Sequence, residues 1–207
     1  RSKMIALSGI LSAVVAVLTF IIIPVPPPVG GFDSSSILIL SLPILLGPEL
    51  GTIIVCIGEF VGTVFLVGVG LGFMYYILGI VAVRGPEAYL VGKIARPRAL
   101  GRAGGKGMEL LAATVGPIWE TFGFVVANYY LFYLIGGPAM IPIYVFPLFL
   151  TLIDLIWVIP AMVLVQAVRT WIKANYMDEQ LGLGTDDKTK KELFSTSTIF
   201  ILLSWIL

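Results

Sequence analysis

Six apolar stretches separated by turn-forming residues most constrain how this chain can fold. A helix needs roughly 20 apolar residues to cross a bilayer, and several stretches approach or exceed that length before a break at Pro24, Gly68 or Gly136. Only 12% of the residues are charged, against about a quarter in a soluble domain. The sequence therefore predicts an all-α integral membrane protein, a six-transmembrane-helix bundle. The predicted spans are about 4–23, 37–46, 50–67, about 71–83 with a continuation towards Ile94, 108–135 and 143 to about 172, and Arg169 near the end of the last span is counted as following it.

The basic residues predict the orientation of these spans. If all six cross, the thirteen Lys and Arg residues fall before the first span, between the fourth and fifth, or after the sixth. Arg84 belongs to the middle group in this scheme. All thirteen would then lie on one side, which the positive-inside rule identifies as the cytoplasmic side. We therefore predict a multi-pass membrane protein with a cytoplasmic N-terminus.

The C-terminal region differs from the rest in composition. We expect 1–175 to form the six-helix membrane domain. The charged, turn-rich segment 176–192 predicts a cytoplasmic polar linker. Segment 193–207 is apolar again but too short to cross comfortably, so it is either the start of a further span or an interfacial segment.

Three carboxylates lie near the middle of these apolar stretches. They are Glu59, Glu120 and Asp154, and we expect no Lys, Arg or His near any of them to neutralise the charge. A carboxylate at that depth is costly unless it is protonated, paired or hydrated, and by default it marks a functional site. We therefore predict a polar cavity inside the bundle.

Other residues near these acids are candidates for binding a substrate. Asp33, in the proline-rich loop after the first span, can cap the next helix, contact a ligand, or do both. Trp119 can stack on a ring or face lipid, and Asn128 can form a hydrogen bond with a ligand. Trp157 shares a helical face with Asp154. The predicted substrate-binding residues are Asp33, Glu59, Trp119, Glu120, Asn128, Asp154 and Trp157.

Catalytic and cofactor motifs are missing from the sequence. There is no histidine and one cysteine, Cys56, so the commonest catalytic base and a metal-spaced Cys or His pair are both absent. The glycines of 101–107 lack the spacing of a phosphate-binding loop. We therefore expect no enzymatic activity, no cofactor and no metal, and the near-zero net charge gives no reason to expect nucleic acid as a partner.

An ordered set of features resembles a known family. A first helix rich in small residues is followed by a proline-rich loop with an acidic residue. A short second helix then ends in Leu45-Leu-Gly-Pro-Glu-Leu-Gly51, and a basic loop follows the fourth span. This pattern, from Lys3 to Ala174, resembles the substrate-binding S component of energy-coupling factor (ECF) transporters.

The resemblance implies a function and partners. S components are six-helix proteins of the bacterial or archaeal cell membrane that capture a vitamin or related micronutrient from outside. They do not hydrolyse ATP themselves but work with a membrane coupling protein and two cytoplasmic ATPases. Their first helix usually meets the coupling protein through an Ala-x-x-x-Ala pair. This chain has other small residues there, and the expected partner interface is Ser8, Gly9, Ser12, Ala13 and Ala16.

The substrate and the transport mechanism stay open at this point. Buried acids without bases favour a neutral or cationic vitamin-like substrate over a carboxylate-rich one, and flavin-like ligands fit through Asn128 and the aromatic residues. The alternative is an ion-coupled secondary transporter that uses Glu59, Glu120 and Asp154 as a proton or sodium relay. Such transporters usually have internal repeats, and the only echo here is Gly47-Pro48 against Gly116-Pro117.

Overall fold

A computed structural model describes residues 2–24, 31–70, 74–96, 105–136 and 146–181, and these are helical apart from one short hairpin. In the hairpin, β1 pairs antiparallel with β2, and Ile22 lies opposite Asp33. The all-α prediction is confirmed at this level. The elements are α1 (Ser2–Thr19), β1 (Ile22–Pro24), β2 (Gly31–Asp33), α2 (Ser36–Leu46), α3 (Pro48–Gly68), α4 (Met74–Ala95), α5 (Lys106–Gly136), a 3₁₀ helix (Phe146–Trp157) and α6 (Val158–Leu181).

Three of the helical segments are long and apolar enough to cross a membrane. They are Pro48–Gly68, Lys106–Ala127 and Leu152–Trp171, and they correspond to the predicted third, fifth and sixth spans. Ile5–Thr19 and Ser36–Leu46 are apolar but shorter. The three long segments indicate a membrane protein, and the count of six spans stays a prediction.

The distribution of side chains is also that of a membrane protein. Large apolar side chains point outwards on several helices, such as Ile10 on α1, Phe65 on α3 and Phe122 on α5. Charged side chains lie inside, and Glu59 and Glu120 are among the most buried residues described. Exposed apolar patches of this extent mark contact with lipid or protein.

The first helix ends earlier than predicted. We expected a span over 4–23, but α1 stops at Thr19 and Ile22–Pro24 forms a strand. β-branched residues favour strands, and a residue that precedes proline is pushed into an extended conformation. Ile22 and Ile23 are both β-branched, and Ile23 also directly precedes Pro24. The hairpin that results brings Asp33 back towards the helices.

Small residues let neighbouring helices approach closely. A Cβ added to Gly58 of α3 would lie 2.5 Å from Val15 Cβ of α1. A Cβ added to Gly92 of α4 would lie 2.5 Å from Pro48 Cα at the start of α3. Because real Cβ atoms essentially never approach so closely, α3 packs against both neighbours through positions that only glycine fits.

The fourth helix corrects the predicted position of Arg84. The fourth span was predicted over 71–83 with a continuation towards Ile94, and Arg84 was counted among the cytoplasmic basic residues between the fourth and fifth spans. Instead α4 continues to Ala95 and holds Arg84 near its middle. Its 22 residues give ~33 Å at ~1.5 Å per residue. The helix can continue through Arg84 because buried carboxylates neutralise its charge.

The chain divides into two compact units. The first is Arg1–Met162, and the second begins at Val163. In the second unit α6 continues to Leu181, so residues 176–181 of the predicted linker are helical. The rest of that linker and 193–207 lie outside the described residues. The predicted domain boundaries stay predictions.

Candidate functional site

The centre of the candidate site is the guanidinium of Arg84, which is 5% exposed. Its Nε donates a hydrogen bond to Glu120 Oε1 at 2.9 Å. Its Nη1 donates to Glu59 Oε2 at 2.7 Å, and its Nη2 donates to Asp33 Oδ2 at 2.8 Å. One arginine therefore binds three carboxylates.

Each carboxylate of this cluster comes from a different element. Asp33 ends β2, Glu59 lies on α3 and Glu120 lies on α5, while Arg84 itself lies on α4. Glu59 also accepts a hydrogen bond from Thr19 Oγ1 of α1 at 3.3 Å. The cluster thus connects three helices and the hairpin, with a further contact to α1.

Asp33 lies at the turn before α2 and also contacts Arg84, while its predicted contact with a ligand stays a prediction. Its Oδ1 accepts hydrogen bonds from the Ser35 backbone N at 3.1 Å and from Ser35 Oγ, which orders the turn that leads into α2. Arg84 Nη1 donates to Asp33 Oδ1 at 3.2 Å and to Ser35 Oγ at 2.9 Å. The start of α2 and the charged centre are therefore held together.

The expectation that no basic residue lies near the buried acids is wrong for Glu59 and Glu120. Arg84 is 25 positions from Glu59 and 36 from Glu120 along the chain, yet it contacts both. Packing of α4 against α3 and α5 brings it there. One sequence feature could have identified Arg84 as a buried partner. The segment Arg84-Gly-Pro-Glu87 places two charges inside an otherwise apolar run.

The hydrogen-bond donors of Arg84 are almost fully used. A guanidinium has about five N–H donors. The contacts engage one on Nε, two on Nη1 and at least one on Nη2. Little donor capacity is left for an anionic ligand, and Arg84 acts as a counter-ion within the protein.

Two further buried acids surround this centre, and each has an unpartnered oxygen. Glu87 of α4 is 1% exposed and Asp154 of the 3₁₀ helix is 4% exposed. Neither Glu87 Oε2 nor Asp154 Oδ1 has a hydrogen-bond partner. Charge interactions connect Glu87 with Glu120 and Asp154. Sequence reasoning missed Glu87 because its stretch was assigned to the end of a span.

Acids outnumber bases in this interior. Arg84 is the only basic residue in the buried class among the residues whose burial is described. Around it are Asp33, Glu59, Glu120, Glu87 and Asp154. The first three bind the arginine directly, and the other two do not. Because one guanidinium balances only one carboxylate, the remaining acids must be neutralised by protons or by a cationic ligand.

The two predicted tryptophans differ in environment. Trp119 Nε1 donates to the Val83 carbonyl of α4 at 3.2 Å, and the residue is 38% exposed. Trp157 Nε1 is buried and has no partner. Residues i and i+3 eclipse in a 3₁₀ helix, so Trp157 lies over the same face as Asp154. Their roles in binding stay predictions, and the Asn128 side chain lies outside the described residues.

The predicted partner stripe on α1 divides into two parts. Ser12 and Ala16 are buried, and Ser12 Oγ donates to the Ile54 carbonyl of α3 at 3.1 Å. Gly9 and Ala13 are exposed. Part of the stripe therefore packs inside the protein. Residues of α1 and α3 line an open apolar groove of about 570 Å³ formed by Ile5, Ser8, Gly9, Ser12, Ala13, Leu50, Ile53, Ile57 and Val61.

Comparisons with known proteins add no assignment. No family model, curated protein or solved structure matches the chain significantly.

The structure also gives no indication of a metal site. Within the described part of the chain, no group of three or more Asp, Glu, Cys or His residues is arranged to hold a metal ion.

Proposed function

We propose that this chain is the membrane-embedded, substrate-binding subunit of a micronutrient uptake system, as in the S components that its sequence resembles. The observation that carries the proposal is the buried charged centre, where Glu87 and Asp154 keep unpartnered oxygens beside a saturated Arg84. Polar residues buried in a membrane bundle are costly and mark ligand or ion sites.

A purely structural role explains only part of this centre. Asp33, Glu59 and Glu120 suffice to surround Arg84 and to hold the helices together. Glu87 and Asp154 add two buried acids that bind nothing in the protein through their free oxygens. A buried acceptor without a partner costs roughly 1–3 kcal/mol. A ligand that supplies donors removes this cost and gives these residues a function.

The hairpin gives a route for the ligand under the predicted orientation. That orientation places 24–36 outside the cell, and Asp33 at its end reaches Arg84 in the bundle. A ligand from outside would therefore meet this loop first. In the proposed function the hairpin covers the binding site once the ligand has entered.

The partner in this proposal is a membrane coupling protein that works with two cytoplasmic ATPases. Gly9 and Ala13 remain exposed on α1, and nothing lies within 4 Å of a Cβ added to Gly9. A helix of the coupling protein can approach closely at such residues.

The proposed location is the cell membrane of a bacterium or archaeon, with a cytoplasmic N-terminus. Arg84 no longer supports this orientation, and the other twelve of the thirteen basic residues carry the argument. Single cysteines introduced at Gly30 and Ala103 in a Cys56→Ser background test it in intact cells. We expect an impermeant thiol reagent to label position 30 and to spare position 103. The reverse pattern would contradict the orientation.

A second candidate is an ion-coupled secondary transporter. The surplus of acids over Arg84 favours it, because unpartnered carboxylates can carry protons. In this alternative Glu59, Glu120 and Asp154 form the relay, although Glu59 and Glu120 are already held by Arg84.

Uptake by reconstituted protein distinguishes the two functions. Small molecules that co-purify with the chain are first identified by mass spectrometry against a similarly purified, unrelated membrane protein. Uptake of an enriched compound is then measured in proteoliposomes. We expect one enriched compound, no uptake on a proton or sodium gradient, and ATP-driven uptake only with the coupling protein and ATPases. Gradient-driven uptake by this chain alone would replace the proposal with the alternative.

A further inference from the structure

Two acidic side chains beside the Arg84 cluster have the properties of a ligand-recognition pair. We infer that Glu87 and Asp154 bind an organic cation that carries N–H donors, and that Trp157 contacts the same ligand. This inference rests on the proposed function, because it names the class of substrate that the same site takes. Glu87 is a new member of the site, and the cationic class narrows the neutral or cationic range that the sequence left open.

The free atoms of these residues define what a ligand must offer. Glu87 Oε2 and Asp154 Oδ1 are buried acceptors without donors. Trp157 Nε1 is a buried donor without an acceptor. A complementary ligand has N–H donors for the two carboxylates and a neighbouring acceptor for the indole. Protonated amines and amidines next to a ring nitrogen have this arrangement.

Glu87 is placed on the same helix as Arg84, and its free oxygen is buried. Glu87 follows Arg84 by three positions on α4, so the two side chains lie on neighbouring parts of one helical face. Its other oxygen, Oε1, lies 3.0 Å from where a Cβ on Gly116 would be. The glycine on α5 therefore makes room for the carboxylate, and Glu87 is held between two helices.

Asp154 and Trp157 both come from the 3₁₀ helix, whereas Glu87 comes from α4. They eclipse each other on the 3₁₀ helix, and charge interactions connect Asp154 with Glu120 and Arg84. The Trp157 indole and the Asp154 carboxylate are close enough to interact, but neither Nε1 nor Oδ1 has a hydrogen bond of full geometry. A ligand with a donor and an acceptor would replace this weak contact with two well-formed hydrogen bonds.

The excess of buried acids over bases favours a cation over an anion, and protons supply the counter-charge while the ligand is absent. Arg84 is saturated by its three carboxylates and cannot neutralise Glu87 and Asp154 as well. An anionic ligand would face two further acids without a free basic partner. A cationic ligand would instead replace the missing counter-charge and form charge-assisted hydrogen bonds, which are about twice as strong as neutral ones.

A metal ion does not account for the same features. The described residues contain no cluster with the geometry of a metal site. The unpartnered indole N–H of Trp157 is a donor and cannot ligate a cation. An organic cation with an acceptor next to its N–H donors uses all three atoms.

The test uses three probes of one size and different charge. Picolylamine is a cation at neutral pH, pyridylmethanol is its neutral analogue, and picolinate is the anion. Binding of each to the purified full chain in lipid nanodiscs is measured by titration calorimetry and ligand-observed NMR. We expect picolylamine to bind at least about tenfold more tightly than pyridylmethanol and to compete with any co-purified compound, and we expect no binding of picolinate.

Matched variants test whether Glu87 and Asp154 bind picolylamine. Glu87→Gln and Asp154→Asn each keep the shape of the side chain, and each should weaken picolylamine binding about tenfold or more, as the loss of a charged hydrogen bond predicts. Glu49→Gln makes the same change at an exposed acid and should leave binding unchanged. Two acid variants are used so that poor folding of one does not decide the result.

Each result has a defined meaning. Preference for pyridylmethanol or picolinate would overturn the inference. So would picolylamine binding of wild-type strength in both Glu87→Gln and Asp154→Asn, or the absence of binding by all three probes. None of these would overturn the proposed function, which fails separately if reconstituted protein takes up its substrate on an ion gradient without ATPases.

Discussion

Arg84 Nη1 lies 2.7 Å from Glu59 Oε2, and both side chains are buried between α4 and α3. The same guanidinium reaches α5 through Glu120 and the hairpin through Asp33. Because water does not compensate these charges, each depends on its partners. The pairing separates Asp33, Glu59 and Glu120, which contact Arg84, from Glu87 and Asp154, for which we propose a role in ligand binding.

Removal of the guanidinium should destabilise the protein strongly. Arg84→Gln leaves Asp33, Glu59 and Glu120 without their shared counter-charge. Breaking a buried ion pair in this way costs about 3–5 kcal/mol. Chemical denaturation in mixed micelles should show this loss in the free energy of unfolding.

Two controls identify the cause of that loss. Arg84→Lys keeps the charge but not the planar fork, so it should be destabilising to a smaller extent. Lys106→Gln removes an exposed basic residue and should change the free energy of unfolding by about 0.5 kcal/mol or less. Equal stability of Arg84→Gln and the wild type would show that the cluster does not form.

Substitution of Glu120 should lower stability, whereas substitution of Glu87 should weaken ligand binding. Glu120→Gln removes the charge that pairs with Arg84 Nε, so it should lower stability by about 1.5–3 kcal/mol. Glu87→Gln removes a carboxylate with a free oxygen, and the amide costs less to bury than an ionised acid. It should keep or raise stability and weaken ligand binding.

Melting curves and calorimetric titrations on the two proteins check this contrast. If Glu120→Gln reduced affinity while leaving stability intact, Glu120 would belong to the ligand site rather than to the structural cluster. A marked loss of stability in Glu87→Gln would show that Glu87 has a partner within the protein.

A methyl group on Gly58 should disturb the contact between α1 and α3. The added Cβ would lie 2.5 Å from Val15 Cβ and 2.8 Å from the Ser12 carbonyl oxygen. Overpacking of this kind costs about 1–3 kcal/mol, and Gly58→Ala should lower the free energy of unfolding accordingly. Gly9→Ala is the matched control, since nothing lies within 4 Å. A neutral Gly58→Ala would argue against close packing here.

The two parts of the small-residue stripe on α1 should respond differently to leucine. Gly9→Leu and Ala13→Leu place a large side chain on the exposed part, so they should reduce recovery of the coupling protein after detergent extraction and leave ligand affinity unchanged. Ser12→Leu enlarges a buried residue that donates to the Ile54 carbonyl. It should lower the melting temperature instead. Full complex recovery with Gly9→Leu and Ala13→Leu would exclude this surface as the interface.

Helix positions could be predicted largely from the sequence. The predicted spans 50–67 and 108–135 agree closely with α3 and α5, because proline and glycine mark helix ends locally. The 3₁₀ geometry around Asp154 could not be predicted, because its apolar pattern resembles that of an α-helix. The early end of α1 has local signals in Ile22, Ile23 and Pro24, but the apolar run up to Ile23 matched a helix equally well, and the strand shows only in its pairing with β2.

The charged centre could be predicted only in part. Glu59, Glu120 and Asp154 stand out because an acid in an apolar run is conspicuous in sequence. Their partner was missed because Arg84 meets Glu59 and Glu120 through tertiary packing, which local sequence does not encode. Assigning Arg84 to a loop also hid Glu87, three positions later. An ion pair can keep a charged residue inside a span, so a span does not have to end at its first charge.

Retention of a natural ligand by variants of this chain tests whether Glu87 binds a cationic substrate. Wild type, Glu87→Gln and Glu49→Gln are purified in parallel, and their co-purifying small molecules are quantified by mass spectrometry per mole of protein. We predict one enriched compound with a protonatable nitrogen, retained equally by Glu49→Gln and reduced about tenfold or more in Glu87→Gln, as expected for the loss of a charge-assisted hydrogen bond. Equal retention by all three proteins, or no enriched compound in the wild type, would contradict the account.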